Sequence, residues 1–325
     1  MRIVNHLVML IALSISLLTT AEAAGVKRWG PEYFTNAIVY DQNGTALHFY
    51  DDVIKGKIVV VSFIFAKCKD LCPLTTARLA EVRHRLGNSV GRDVYFVSIT
   101  IDPENDTPAV LKAYAEPFDI GAGWQFLTGS PEVIKEIRNK LGELSRKKSE
   151  HTAEVLLGND RTGEWGHDSA MSDPSLLVLN IKSMDPDWRD QPQQVEKATA
   201  SATLASIQTP MPALPGVAMF RKLCMSCHTV GKGDRVGPDL AGVSVRRDHD
   251  WLVNLIADPD KARKAGDKTL AELTVKFKGT NMPSLGLSLS EAADLIAYID
   301  AETKAQSDKP AVSGDLGGAK TVAAK

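Results

Sequence analysis

All four cysteines of this chain fall in two close pairs, Cys68 with Cys72 and Cys224 with Cys227, set far apart in the sequence. An exported domain stapled for stability spreads its cysteines to close long loops, whereas close pairs suit metal binding, redox exchange or haem attachment. The 325 residues exceed what one core usually holds, so each pair is read as the centre of its own globular unit. Lysine plus arginine total 38 against 40 for aspartate plus glutamate. No strong field therefore draws the chain to nucleic acid or an anionic bilayer, and proteins, metals and cofactors are the expected partners.

At the N-terminus Arg2 is followed by an apolar stretch from Leu7 to Leu18 and then by Ala21-Glu22-Ala23, the small-x-small pattern of a signal peptidase site. The apolar run is short for a bilayer span. Residues 1–23 are thus expected to be a cleaved signal peptide and the protein periplasmic, without a stable membrane span; an uncleaved N-terminal anchor facing the periplasm is the alternative.

From Asn36 the sequence alternates around Asp41-Gln42-Asn43-Gly44, a hairpin signal. Lys57 to Phe65 is a near-continuous β-branched and aromatic run, as in a strand covered on both faces. The first cysteine pair follows, then a helical pattern from Leu74 to Leu86, a second buried strand over Val94 to Ile101, and a helix opening near Thr107-Pro108. Another helix runs from Ser130 to about Leu144. Ala153 to Leu157 and Ser175 to Ile181 read as an antiparallel pair, with Asp160, Gly163 and His167 in the loop between them, and a weak helix as Gln193 to Ile207. Thr209-Pro210-Met211-Pro212 makes a stiff joint, giving an α/β domain over 24–207, a linker over 208–213 and an all-α domain over 214–303. The final helix is the clearest element of the second unit: Ser288 to Glu291 forms a capping box, and Ala292, Leu295, Ile296 and Ile299 share one face. Residues 304–325 lack periodicity and read as a disordered tail.

Cys224-Met225-Ser226-Cys227-His228 is the pattern for covalent haem c attachment: two thiols add to the vinyl groups and His228 takes one axial iron position. A zinc half-site would need two further ligands, and downstream only His249 offers one. One methionine follows the motif, Met282, and it is the expected second axial ligand, with His249 as the rival. The segment from about Leu214 to Thr303 resembles a class I cytochrome c, with Gly237-Pro238-Asp239-Leu240 in the place of that family's haem-edge loop. The resemblance implies that the Pro238 carbonyl orients the His228 ring.

Cys68-Lys69-Asp70-Leu71-Cys72-Pro73 lies between a buried strand and a helix, so helix N-terminal amides can stabilise a thiolate there. Two soft sulfurs suit Cu(I), and an added imidazole also holds Cu(II). His167 is the expected third ligand and His151 the fallback. The run from Gly56 to Pro73, then Asp102 to Pro108, then Gly123 to Gly129 resembles the Sco/SenC family in order and spacing, over about Asn36 to Ile207. The resemblance implies a thioredoxin-like fold, copper bound by Cys68, Cys72 and His167, and copper delivery to the binuclear copper centre of cytochrome oxidase, or thiol–disulfide exchange on that centre's cysteines. Departures from the family pattern are Ala66 for threonine, Lys69 for proline and Gly166 for the aspartate before the histidine.

The leading functional expectation is a copper metallochaperone for cytochrome c oxidase assembly with a fused haem c electron-transfer domain. Its partners would be the oxidase's copper-containing subunit and other redox proteins. The alternatives are a haem-linked thiol–disulfide oxidoreductase with Cys68 and Cys72 as catalytic residues, and a tethered cytochrome whose first domain only docks.

Overall fold

The computed structural model describes residues 29–68, 71–145, 147–191 and 215–308, with Lys197 and Thr199. The expected signal peptide, almost all of the weak helix over 193–207, the linker and the tail beyond residue 308 lie outside the described residues.

The first unit opens with a hairpin of strands β1 (Ile38–Tyr40) and β2 (Ala46–His48), paired through Val39 and Leu47. Gly44 takes φ +81° in the turn, which the Asn-Gly pair foreshadowed. Strand β3 (Ile58–Ile64) is buried at every residue, because its run of β-branched side chains is covered on both faces. Helix α1 (Leu71–Leu86), strand β4 (Val94–Thr100), helix α2 (Pro108–Ala115), strand β5 (Trp124–Leu127) and helix α3 (Pro131–Lys140) follow. Thr107 and Ser130 cap α2 and α3 through their side chains, with proline in the first turn of each.

Strands β6 (Glu154–Asn159) and β7 (Glu164–Ser169) complete a five-stranded sheet of order β5-β4-β3-β6-β7. The β3–β4 and β4–β5 pairings are parallel, and the β3–β6 and β6–β7 pairings are antiparallel. Strand β3, helix α1 and strand β4, then the β6–β7 pair and a closing helix, make the expected thioredoxin-like arrangement. Val60, Ile64, Val155 and Leu157 point into one core, together with Cys72 and Leu79 of α1; Val59, Val61, Phe63 and Leu156 point into the other, with Phe49, Ile134 and Ile137.

One sequence expectation fails here. The strand expected over Ser175 to Ile181 is helix α4 (Pro174–Ser183), and the partner of β6 is β7, which contains His167. Asp173 caps α4 by accepting from the Ser175 amide, Pro174 sits in the first turn, and Leu177 and Ile181 bury one face at helical spacing. β7 escaped notice because it is a polar edge strand with no buried residue, which leaves no alternation to read.

The second unit is helical. A short helix α5 (Gly216–Met219) runs on through Phe220–Cys224; helices α6 (His249–Ala257), α7 (Pro259–Lys264) and α8 (Lys268–Lys276) follow, and α9 (Leu289–Ser307) closes it. Both bonds of the Ser288–Glu291 capping box form, and Ala292, Leu295, Ile296 and Ile299 are all buried. α9 runs on to Ser307, past the residue where disorder was expected to begin. Among the described residues no helix is long and apolar enough to cross a membrane.

Candidate metal and haem centres

The Cys68 amide turns back to the Phe65 carbonyl at 3.0 Å, closing the exit of β3, and α1 begins at Leu71. The Cys72 amide, in the first turn of α1, donates to the Cys68 sulfur at 3.3 Å. Strand, turn and helix start therefore bring the two thiols of the first pair together. Cys68 is half-buried, while Cys72 is fully buried. The hydrogen bond to Cys68, burial and the charge of the neighbouring sulfur all push the Cys72 thiol up, so its thiolate needs a cation beside it. Asp106, also fully buried, braces this loop by accepting from the Ala66 amide at 3.0 Å and the Thr100 hydroxyl at 2.6 Å. Burial raises its carboxyl above the ordinary range despite those bonds.

The structure does not bring His167 to this pair. The ladders align Val61 of β3, Leu156 of β6 and His167 of β7 in one row, so the three side chains share a sheet face. Val61 and Leu156 belong to the core on the opposite side of the sheet from Cys72. Within that row two strand spacings, about 10 Å, separate His167 from Val61, and Cys68 lies beyond the end of β3. The imidazole of His167 is half exposed, and its Nδ1 meets Glu154 Oε1 at 2.7 Å.

His151 has a different setting. It precedes β6, and because β6 runs antiparallel to β3, the residues before Glu154 sit at the sheet end from which the Cys68 loop emerges. Its side chain is only 3% exposed, yet neither ring nitrogen has a hydrogen-bond partner; the nearest carboxylate, Glu143, stands 3.5 Å from Nδ1. Lys148, just upstream, reaches Asp102 at the end of β4 at 2.5 Å. The Glu143 contact holds that carboxyl down at about 2, but a buried imidazole with only this loose contact at Nδ1 and nothing hydrogen-bonded at Nε2 remains costly unless it receives a further partner. Among the described residues no three His, Cys, Asp or Glu side chains already stand close enough to hold a metal.

In the second unit the Cys227 and His228 amides turn back to the Cys224 carbonyl at 3.0 and 2.9 Å, so one turn of chain presents both thiols and the imidazole. All three line a cavity of about 710 Å³ whose wall includes Leu252, Leu255, Leu295, Ile296 and Ile299. Burial pushes both thiols up to about 12 and holds the His228 imidazole below its ordinary range. His228 Nδ1 donates to the Pro238 carbonyl at 2.8 Å, which leaves Nε2 as the free ligand nitrogen. A Cβ on Gly237 would come within 2.6 Å of the His228 ring, so only glycine lets the loop pack flat on the imidazole. Met282 lines the cavity and its carbonyl is held by Arg263 at 2.8 Å, whereas His249 starts α6, exposed and facing Asp250 at 3.6 Å. A large apolar cavity, two attachment thiols and an oriented imidazole fit haem c.

Two features escaped sequence reading. Arg246, Arg247, Arg263 and Lys276 border the cavity and suit a haem's carboxylates. Arg78 of α1, 3% exposed, donates to the carbonyls of Ala170, Ser172 and, across the units, Lys222, each at 2.6 Å. A lone arginine in a helix carries no sequence signal for such a latch.

Residues 38–165 match the SCO1/SenC family model and residues 213–302 the cytochrome c model. The SCO1 protein homolog of Bacillus subtilis is 34% identical over 105 residues, covering 32% of this chain and 54% of that protein. The SCO2-like protein of Rickettsia felis is 39% identical over 103 residues, covering 31% and 46%. The chain thus spans about half the length of the curated relatives it matches. Copper-bound ScoI of Bradyrhizobium japonicum superposes on 46% of this chain and 96% of its own, at 27% identity and a TM-score of 0.39. The two family-model matches thus mark a SCO1/SenC-like domain over residues 38–165 and a cytochrome c-like domain over residues 213–302.

Proposed function

We propose that this protein is an exported copper carrier that supplies the binuclear copper centre of cytochrome oxidase, through that enzyme's copper-containing subunit, and that its fused haem c domain serves electron transfer. The observation that carries the reading is the thiol pair at the β3–α1 turn, within a SCO1/SenC match, with the buried His151 at the same end of the sheet. Copper is the cargo. Cys68 and Cys72 supply two soft sulfurs, and a histidine completes a set that accommodates both oxidation states. The geometry favours His151 as that histidine: its ring nitrogens are desolvated and unsatisfied, and it lies at the Cys68 end of the sheet. His167, the histidine indicated by sequence, faces the other core and already pairs with Glu154. Half-exposed Cys68 offers the route by which copper enters and leaves, and buried Cys72 keeps one sulfur from solvent.

In the second unit Cys224 and Cys227 would hold haem c covalently, with His228 and Met282 as its axial ligands. Bound there, the group supplies one-electron chemistry. Pro238 fixes the His228 tautomer, and Arg263 holds the Met282 loop closed. Haem staining of the exported protein and spectroscopy of Met282→Ala, which should lose the sulfur–iron feature, test this half.

For copper, the test is titration with competing chelators. His151→Ala should weaken Cu(II) binding by at least about 100-fold, as loss of one of three ligands requires, and His167→Ala should change it by less than about threefold. The opposite order would place the third ligand on β7, and full affinity in both variants would remove histidine from the site.

A further inference from the structure

Pro73, bonded to Cys72, lines the haem cavity itself. It also lines a second cavity, of about 460 Å³, where Cys68 and Lys67 of the first unit face Lys278 to Asn281 of the second. Thr280 and Asn281 border both cavities, and Met282 follows them into the haem cavity. The two redox centres are therefore neighbours separated by Pro73 and by the segment preceding Met282. Two bonds hold this arrangement: Arg78 Nη1 to the Lys222 carbonyl at 2.6 Å, and Lys278 Nζ to Glu116 Oε1 at 2.6 Å.

We propose that the Cys72–Pro73 segment is an internal electron path joining the haem cavity to the copper ligands, so that cupric ion taken up at Cys68 and Cys72 is reduced before delivery. This rests on the copper reading above. The step balances without protons or leaving groups: one electron passes from ferrous haem iron to Cu(II), giving ferric iron and Cu(I), and both cysteines remain thiolates. A dithiol–disulfide couple would need two electrons, so a single haem matches copper one for one. Electron tunnelling falls steeply with distance, and a neighbour in the same chain acts at a fixed effective concentration. Cu(I) is also the state that two soft sulfurs favour, so the transfer leaves the cargo in the form the site holds best. Neither family match accounts for the contact, because each covers one unit alone.

The test uses the full chain carrying its haem. Copper binding is measured first; then ferrous protein is mixed anaerobically with one equivalent of Cu(II), and haem oxidation is followed across a tenfold range of protein concentration. The proposal expects a first-order rate independent of concentration, lost in Cys68→Ser/Cys72→Ser. Lys278→Glu, which sets two carboxylates against each other at an exposed site, should slow it about five- to tenfold, and Glu116→Lys in that background should restore it. Independently of turnover, the Cu(II) resonance of the ferric protein should be relaxation-broadened relative to Cys224→Ala/Cys227→Ala, which cannot attach haem. Stoichiometric copper with second-order oxidation, or with an identical resonance in both proteins, overturns the path and leaves the copper reading standing. Failure of the wild type to bind copper overturns both.

Discussion

The two cysteine pairs answer the same chemical demand, sulfur beside an imidazole, with opposite architectures. The haem site takes its thiols and first imidazole from one turn of chain, and the carbonyl that orients the imidazole comes from Pro238 in the next loop. The proposed copper site would take its thiols from one strand–helix turn and its histidine from another strand connection. Local sets are fixed by covalent spacing and survive disturbance elsewhere, whereas a set assembled across a sheet depends on strand register.

The sharpest break between the two sites is chemical. Cys224→Ala with Cys227→Ala should abolish covalent haem entirely while leaving copper stoichiometry unchanged, and Cys68→Ser should do the reverse. Haem staining and metal analysis on the same samples check both halves. Loss of copper in the haem-free variant would mean that the sites are built jointly, against the separate family matches.

Glycine geometry sharpens the contrast at a smaller scale. Gly237→Ala would force a methyl group into the His228 ring and should cost about 2–4 kcal/mol, as overpacking does at its more severe end. Gly166→Ala, beside the histidine favoured by sequence, meets nothing within 4 Å and should stay within about 0.5 kcal/mol. Urea unfolding followed by haem absorbance and by tryptophan fluorescence compares them. A neutral Gly237→Ala would show that the loop can move off the imidazole.

What sequence made legible follows the same division. The buried run of β3, the cap of α9 and the haem motif are readable because each is a local pattern, and Met282, the one methionine after that motif, lines the same cavity. His167 is indicated in sequence by the resemblance of Gly166-His167-Asp168-Ser169, before a strand expected at Ser175, to the Sco/SenC copper-histidine position. That segment is helical, its Asp173-Pro174 start being the overlooked signal, and the true edge strand carries no hydrophobic alternation to announce it. The preference for His151 rests on a ladder register and a buried ring whose nitrogens lack hydrogen bonds, and neither exists until the chain is folded. The contact between units was invisible for a similar reason: Pro73 reads as an ordinary first-turn proline, yet its ring borders the haem cavity.

The smallest expected difference concerns acid. Each site's loop is braced by one carboxylate, and the two braces titrate in opposite senses. Asp239 accepts the Gly231 and Ala241 amides and the Thr229 hydroxyl at 2.8–2.9 Å, with the Gly233 amide at 2.5 Å. Burial opposes its charge, but these bonds outweigh burial and hold the carboxyl well below the ordinary carboxylate range. Its folded-state pKa is depressed, so its contribution is present above the unfolded value of about 4 and is lost as pH falls below it. Asp239→Asn should therefore cost about 1–2 kcal/mol at neutral pH, a deficit that shrinks as the pH is lowered through 4. Asp106, raised by burial, has the reverse sign: protonation favours the folded state, so wild type gains on Asp106→Asn as pH falls through the raised pKa. Urea unfolding between pH 3 and 7, read by haem absorbance for Asp239 and tryptophan fluorescence for Asp106, should give difference curves of opposite slope. Parallel slopes would mean that the two loops are braced alike, and the contrast between a hydrogen-bonded local brace and a desolvated one would fail.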